Sequence, residues 1–210
     1  REGIDTPVAN RCDRDLLVTR IRRRWGVVKR VSAFVWIGGR PSLDLCNTAA
    51  GENELLCEPT DVRSWLVESG LGTPEQVPGV RDLERVRLLR TELRTAFLAR
   101  DAQAIADVVS EWLRQTPGRL AVDRANLRPN FCPEVATCRC LLVPALLDAL
   151  DLARDGIDRV RECAAPDCTF IYADTSRNGS RRWCAMERCG SRAKAHTYYT
   201  RHRASGPPPL

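Results

Sequence analysis

Four cysteines, Cys163, Cys168, Cys184 and Cys189, stand in the frame C-x4-C-x15-C-x4-C, and no other feature of the sequence restricts the fold as strongly. Two thiolates in each of two short loops supply the four soft ligands that a tetrahedral zinc ion takes at about 2.3 Å. A separator of this length lets one paired loop fold back beside the other. Neither pair has the two-residue spacing of a redox dithiol. Four cysteines also close the coordination sphere, which speaks against a catalytic zinc with an open position. The alternatives to a structural zinc are two disulfides, a redox switch that releases metal on oxidation, and four buried thiols with accidental spacing.

The compartment bears on that choice. Ten cysteines in 210 residues fall below the roughly 8–10% of a disulfide scaffold. The apolar stretch from Trp25 to Ile37 is broken by Lys29 and Arg30, so no secretory segment is expected. No run reaches the roughly 18 apolar residues of a membrane helix. A reducing, cytoplasmic setting follows, where clustered cysteines serve metals more often than disulfides. The other six cysteines are scattered; among them Cys12, Cys46 and Cys57 have no close partner, and Cys138 and Cys140 sit too close for the usual loop. They read as ordinary core or surface thiols.

The residues around the frame suggest how it is built. "VRECAAPDCTFIYAD" reads as a hairpin with a Pro-Asp turn whose tip presents Cys163 and Cys168, with Phe170 and Tyr172 as core. "WCAMERCGSRAKAHTYYTRHR" reads as a turn leading into a helix, with Trp183 packing the small core and His196 and His202 on the surface. Together they predict a treble-clef-like or zinc-ribbon-like module. Between Ser176 and Arg203 lie eight Lys/Arg opposed by Glu187 alone. A zinc ion held by four thiolates carries a formal charge of about −2, so two or three cations would offset it. The surplus predicts a polyanion partner, with Arg177, Arg181, Arg182, Arg192, Lys194 and Arg201 as nucleic-acid contacts. Residues 1–30 are also basic, nine Lys/Arg against four Asp/Glu, whereas 31–175 carry a net −6. Two basic ends on an acidic body fit the same kind of partner.

Between those ends the chain reads as helical. "FVWIGGRPSLDLCNT" (34–48) has an apolar run, a Gly-Gly turn and a helix start. "PTDVRSWLVESGL" (59–71) is a short helix that Thr60 or Asp61 can cap and Gly70 stops. Leu83, Val86, Leu89, Leu93 and Phe97 recur at steps of three and four, the stripe of an amphipathic helix over 81–99. Ile105, Val108, Val109, Trp112 and Leu113 mark a second helix, ended by "TPGR" at 116–119. Residues 119–136 look like short strand and loop. Residues 138–156 are helical again, which Pro144 permits only where the regular helix begins or kinks.

These residues resemble a known family. "CAAPDCTFIYADTSRNGSRRWCAMERCGSRAKA" resembles the CGNR zinc-finger domain, whose hallmark is a cysteine frame followed by Cys-Gly-Asn-Arg. "FVWIGGRPSLDLCNT…EPTDVRSWLVESGL" resembles the ABATE domain that commonly precedes that finger in bacterial proteins. The resemblance implies that Cys163, Cys168, Cys184 and Cys189 ligate zinc, and that the chain is a DNA-binding transcriptional regulator with a link to stress. One residue departs: Ser191 stands where the family has asparagine. Serine keeps a short polar side chain able to cap a helix, so metal binding should survive the change.

The expected fold is mainly α (α+β). A basic extension (1–33) precedes a mostly helical domain (34–157), followed by a four-cysteine zinc module (158–203) and a disordered tail (204–210). The expected function is DNA-binding regulation with one structural zinc per chain and a small-molecule or protein effector at the N-terminal domain. The alternative is a protein–protein or RNA interaction module using the same basic face. No membrane association is expected, and a homodimer is compatible although no interface is marked. Catalysis is not expected: 34–157 contains no histidine and no Gly-rich phosphate loop. Asp44 and Asn47 beside the Gly-Gly turn are the polar candidates there, and capping or turn bonding accounts for both.

Overall fold

The computed structural model describes residues 34–50, 53–123 and 128–204. The basic extension, the tail beyond Ala204, Cys12 and the side chains of His196, Arg201, His202 and Arg203 lie outside the described residues. The described part begins with helix α1 (Pro41–Cys46), the hairpin β1 (Ala49–Ala50) and β2 (Asn53–Glu54), then α2 (Pro59–Glu68), α3 (Val80–Ala99) and α4 (Ala102–Arg114). A second hairpin, β3 (Gly118–Asp123) and β4 (Arg128–Pro133), leads to α5 (Cys138–Leu141) and α6 (Val143–Asp155). A third, β5 (Val160–Glu162) and β6 (Ile171–Ala173), precedes a π-helical turn (Met186–Gly190) and α7 (Ser191–Ala204). The described strands form three separate antiparallel pairs, so the fold is mainly helical with a cysteine module at its C-terminal end.

The apolar stripes form the core as expected. Leu83, Val86, Leu89, Leu93 and Phe97 on α3 are all buried, as are Ile105, Val109 and Trp112 on α4. Helix α4 packs against both α3 and α6. Asp101 caps α4 by accepting from Ala104 N at 2.9 Å. Pro144 lies in the first turn of α6, after a break at Leu142 that separates α6 from α5. Its missing N–H falls where no intrahelical bond is needed. Within the stretch expected as short strand and loop, β3 and β4 pair in regular register from Gly118↔Pro133 to Asp123↔Arg128.

Two local expectations need correction. The N-cap of α2 is Glu58, not Thr60 or Asp61. Asp61 sits at the third helical position, and its carboxylate accepts from Cys57 N and Glu58 N, both at 2.9 Å. That is the returning half of a capping box. Cys57 is disulfide-bonded, so it is not an ordinary thiol.

The third hairpin belongs to two environments at once. Val160, Ile171 and Ala173 are buried in the same apolar core as Leu45, Phe97 and Leu152. The buried side chain of Asn47 donates through Nδ2 to Ile171 O (2.8 Å), and its Oδ1 accepts from Ile171 N (2.9 Å). One amide side chain thereby substitutes for a neighbouring strand along that edge of β6. Ala173 N donates to Gly38 O at 2.9 Å, and Arg94 Nη2 donates to Thr169 O. Asn47 thus serves twice: its backbone N–H caps the C-terminal end of α1 on Leu43 O, as expected, and its side chain helps fasten the hairpin to the helical body.

Candidate metal centre

Backbone geometry brings the two cysteine loops together. Cys163 N donates to Phe170 O at 2.9 Å, extending the β5–β6 pairing one step, and Cys168 N donates to Ala165 O at 3.0 Å to close the first loop. Ala164 N donates to Arg182 O (2.9 Å), tying that loop to the second. In the second loop Cys189 N and Gly190 N both donate to Ala185 O, at 3.1 and 3.2 Å. The Gly190 bond spans five residues and makes the turn π-helical. A Cβ at position 190 would displace the flexible, exposed end of Met186 and lie 3.2 Å from Trp183 Cδ1, so the turn packs closely at Gly190.

The four sulfurs, of Cys163, Cys168, Cys184 and Cys189, lie within 4.8 Å of one another. Cys168 Sγ is 3.7 Å from Cys184 Sγ, which is 3.6 Å from Cys189 Sγ. A disulfide would bring such atoms to about 2.0 Å. Four sulfurs about 2.3 Å from a central zinc would instead stand roughly 3.8 Å apart. Donor type, number and spacing therefore all fit a tetrahedral zinc site of four thiolates. Burial raises the pKa of the Cys163 thiol. Hydrogen bonding from Cys184 pulls Cys168 down to about 5, and the same contact pushes Cys184 up. Full ionisation of such a cluster requires a cation among the sulfurs.

Around the sulfurs Phe170 and Tyr172 are buried, and Trp183, Val35 and Ile37 pack against them. The core roles expected of Phe170, Tyr172 and Trp183 hold. A loop from Asp174 to Arg181 leaves this small core. Its buried anchor, Asp174, accepts from Ser176 N (2.9 Å), Ser176 Oγ (2.6 Å) and Arg181 N (3.0 Å). Residue order carries no sign of that anchor, since an aspartate in "YADTSRNGS" reads as a surface turn residue.

The structure divides the expected nucleic-acid contacts into two groups. Arg181 faces inward: Nε donates to Trp183 O at 2.9 Å, Nη2 to Cys184 O, and the guanidinium lies 4.3 Å over the Tyr172 ring. Arg192 donates to Cys189 Sγ at 3.3 Å and pairs with Asp167. Arg177, Arg182 and Lys194 are exposed, Arg182 standing 5.2 Å over Trp183. Arg188, outside the expected set, lies over Phe170 at 5.1 Å. Ser191 is no N-cap. It is already helical (φ −64°, ψ −40°), and its Oγ donates back to Met186 O at 3.0 Å.

The family comparisons agree in order and position with these two regions. The family model described as "Putative stress-induced transcription regulator", ABATE, matches residues 39–156, more than half of the chain. The CGNR zinc-finger model matches residues 159–202. The chain therefore belongs to the ABATE family and carries a CGNR zinc finger. No curated protein matches it. Among the described residues no helix is long and apolar enough to cross a membrane.

Proposed function

We propose that this ABATE-family chain is a DNA-binding transcription regulator in which Cys163, Cys168, Cys184 and Cys189 hold one structural zinc ion. In this reading residues 158–203 bind DNA in the cytoplasm, and the acidic helical part, 34–157, takes up the effector or partner. Helix α7 carries the reading: none of its described side chains is buried, and Tyr198 and Tyr199 stand in the open beside Lys194. A helix polar on every side gains little from packing on its own protein and suits an external partner. Its first turn is fixed by the cysteine loop that precedes it, so the metal would hold the helix at a set angle to the loop bearing Arg177 and Arg182.

Arg177, Arg182, Lys194 and Arg201 are the phosphate or base contacts. Arg181 and Arg192 leave that set because their donors are engaged within the module. Four phosphate contacts imply roughly a 100-fold loss of duplex affinity between 50 and 200 mM salt. The test is anisotropy titration of the zinc-loaded chain against genomic duplexes across that salt range. Binding that is absent for every duplex, or indifferent to salt, would refute DNA binding. Preference for RNA, or competition by heparin without selectivity among duplexes, would favour the interaction-module alternative.

A further inference from the structure

The guanidinium of Arg192 touches both cysteine loops. Nη2 donates to Cys189 Sγ at 3.3 Å. Nη1 pairs with Asp167, the residue preceding Cys168 in the first loop. Nε donates to Arg188 O at 3.3 Å, which fixes the plane of the fork. A backbone donor also reaches the cluster, Cys184 N, 3.4 Å from Cys163 Sγ. Among the described residues Arg192 is the side chain from outside the four cysteines that donates to a sulfur of the cluster. Its carboxylate partner is well exposed, at 62%, so their Coulomb attraction is weak in water. The N–H···S bond does not share that weakness, because Cys189 is buried.

We propose that Arg192 is a positioning residue of the metal centre, clamping the two cysteine loops through Cys189 Sγ and Asp167 and thereby slowing metal loss. An N–H directed at a thiolate draws electron density from the sulfur, making it a weaker nucleophile towards competing reagents. The planar fork also holds both loops in place while any one sulfur leaves the metal. Lysine could supply the charge but not two fixed donors in one plane. The proposal rests on the four-cysteine metal site of the proposed function and not on DNA binding.

The experiment compares the full chain with Arg192→Gln and Asp167→Asn, loaded with zinc and, separately, with cobalt(II). Zinc transfer to a chromogenic chelator should be on the order of 10–100-fold faster in Arg192→Gln, the range for lost partners of metal ligands. It should be only a few-fold faster in Asp167→Asn, which keeps the N–H···S bond. The sulfur-to-cobalt charge-transfer band should move to lower energy in Arg192→Gln and stay in place in Asp167→Asn. If Arg192→Gln does not fold, Arg192→Lys serves, with intermediate release expected. Release within twofold of the parent, together with an unmoved band, would overturn the clamp while leaving the metal site intact. A parent chain that takes up neither ion would overturn the metal site and the clamp together.

Discussion

The helical body and the cysteine module are stabilised by different physics. In the body, Trp65, Phe97, Leu43, Leu89 and Leu93 are almost wholly shielded from water, and apolar burial supplies the stability. In the module the buried core is Cys163, Ala165, Phe170, Tyr172, Cys184 and Cys189. Half of those residues are sulfur donors, and so few apolar groups cannot hold a fold of this size without a staple. The β5–β6 hairpin shows where the two regimes meet. Its strands place Val160, Ile171 and Ala173 in the core of the body, while its tip carries Cys163 and Cys168. The small core of the module thus sits on a base set in the larger apolar core of the body.

The sharpest way to break this contrast is to remove the staple. Cys184→Ser should eliminate bound zinc, expected at about one per chain in the parent, and unfold the module, while far-UV circular dichroism retains most of its helical signal. Full zinc retention by that variant, measured by elemental analysis, would refute the ligand set. The converse change, Leu93→Ala, should cost about 3–5 kcal/mol in chemical denaturation because it opens a cavity between helices. Zinc stoichiometry should not change; a parallel loss of metal would mean the two regions are not distinct.

Asn47→Ala tests the seam. It orphans the buried N–H and C=O of Ile171 and should cost about 2–4 kcal/mol. The module should then melt before the body, giving two transitions in place of one. A single unshifted transition would show that packing and the remaining bonds, to Gly38 O and from Arg94, hold the hairpin without Asn47.

The smallest effect concerns Asp44 in the body. Burial is the main cause that raises its pKa to about 6, against the bonds it accepts from Gly38 N and Ile37 N. The folded state therefore holds this proton more tightly than the unfolded state does, and that advantage is lost as pH rises through 6. Asp44→Asn should melt roughly 2–4 °C above the parent at pH 7.5, with the gap closing at pH 5. Equal gaps at both pH values, measured by differential scanning fluorimetry, would contradict the assignment.

Several of these features are legible from residue order. Helix stripes repeat every three or four positions because a helix turns once in 3.6 residues, so Leu83 to Phe97 predicts α3 directly. The cysteine frame is equally plain, since a zinc site needs short loops and chemically distinctive ligands. The arginines are different: eight cations within 27 residues look alike in sequence, and nothing in their order separates Arg192, on a sulfur, from Arg182, in solvent. Ser191 misleads for a related reason. Serine bonds either forward as a cap or back to a preceding carbonyl, and backbone angles choose between them.

Residue order is enough to settle the kind of parts: amphipathic helices, a four-cysteine frame and a basic final helix. Those depend on local periodicity and on side-chain chemistry. Which group each polar side chain bonds to is settled only in three dimensions. Asn47 meets Ile171 across 124 positions, and Asp167 meets Arg192 across 25. Pairings at such separations depend on where the chain returns in space, and one-dimensional order does not encode that position locally.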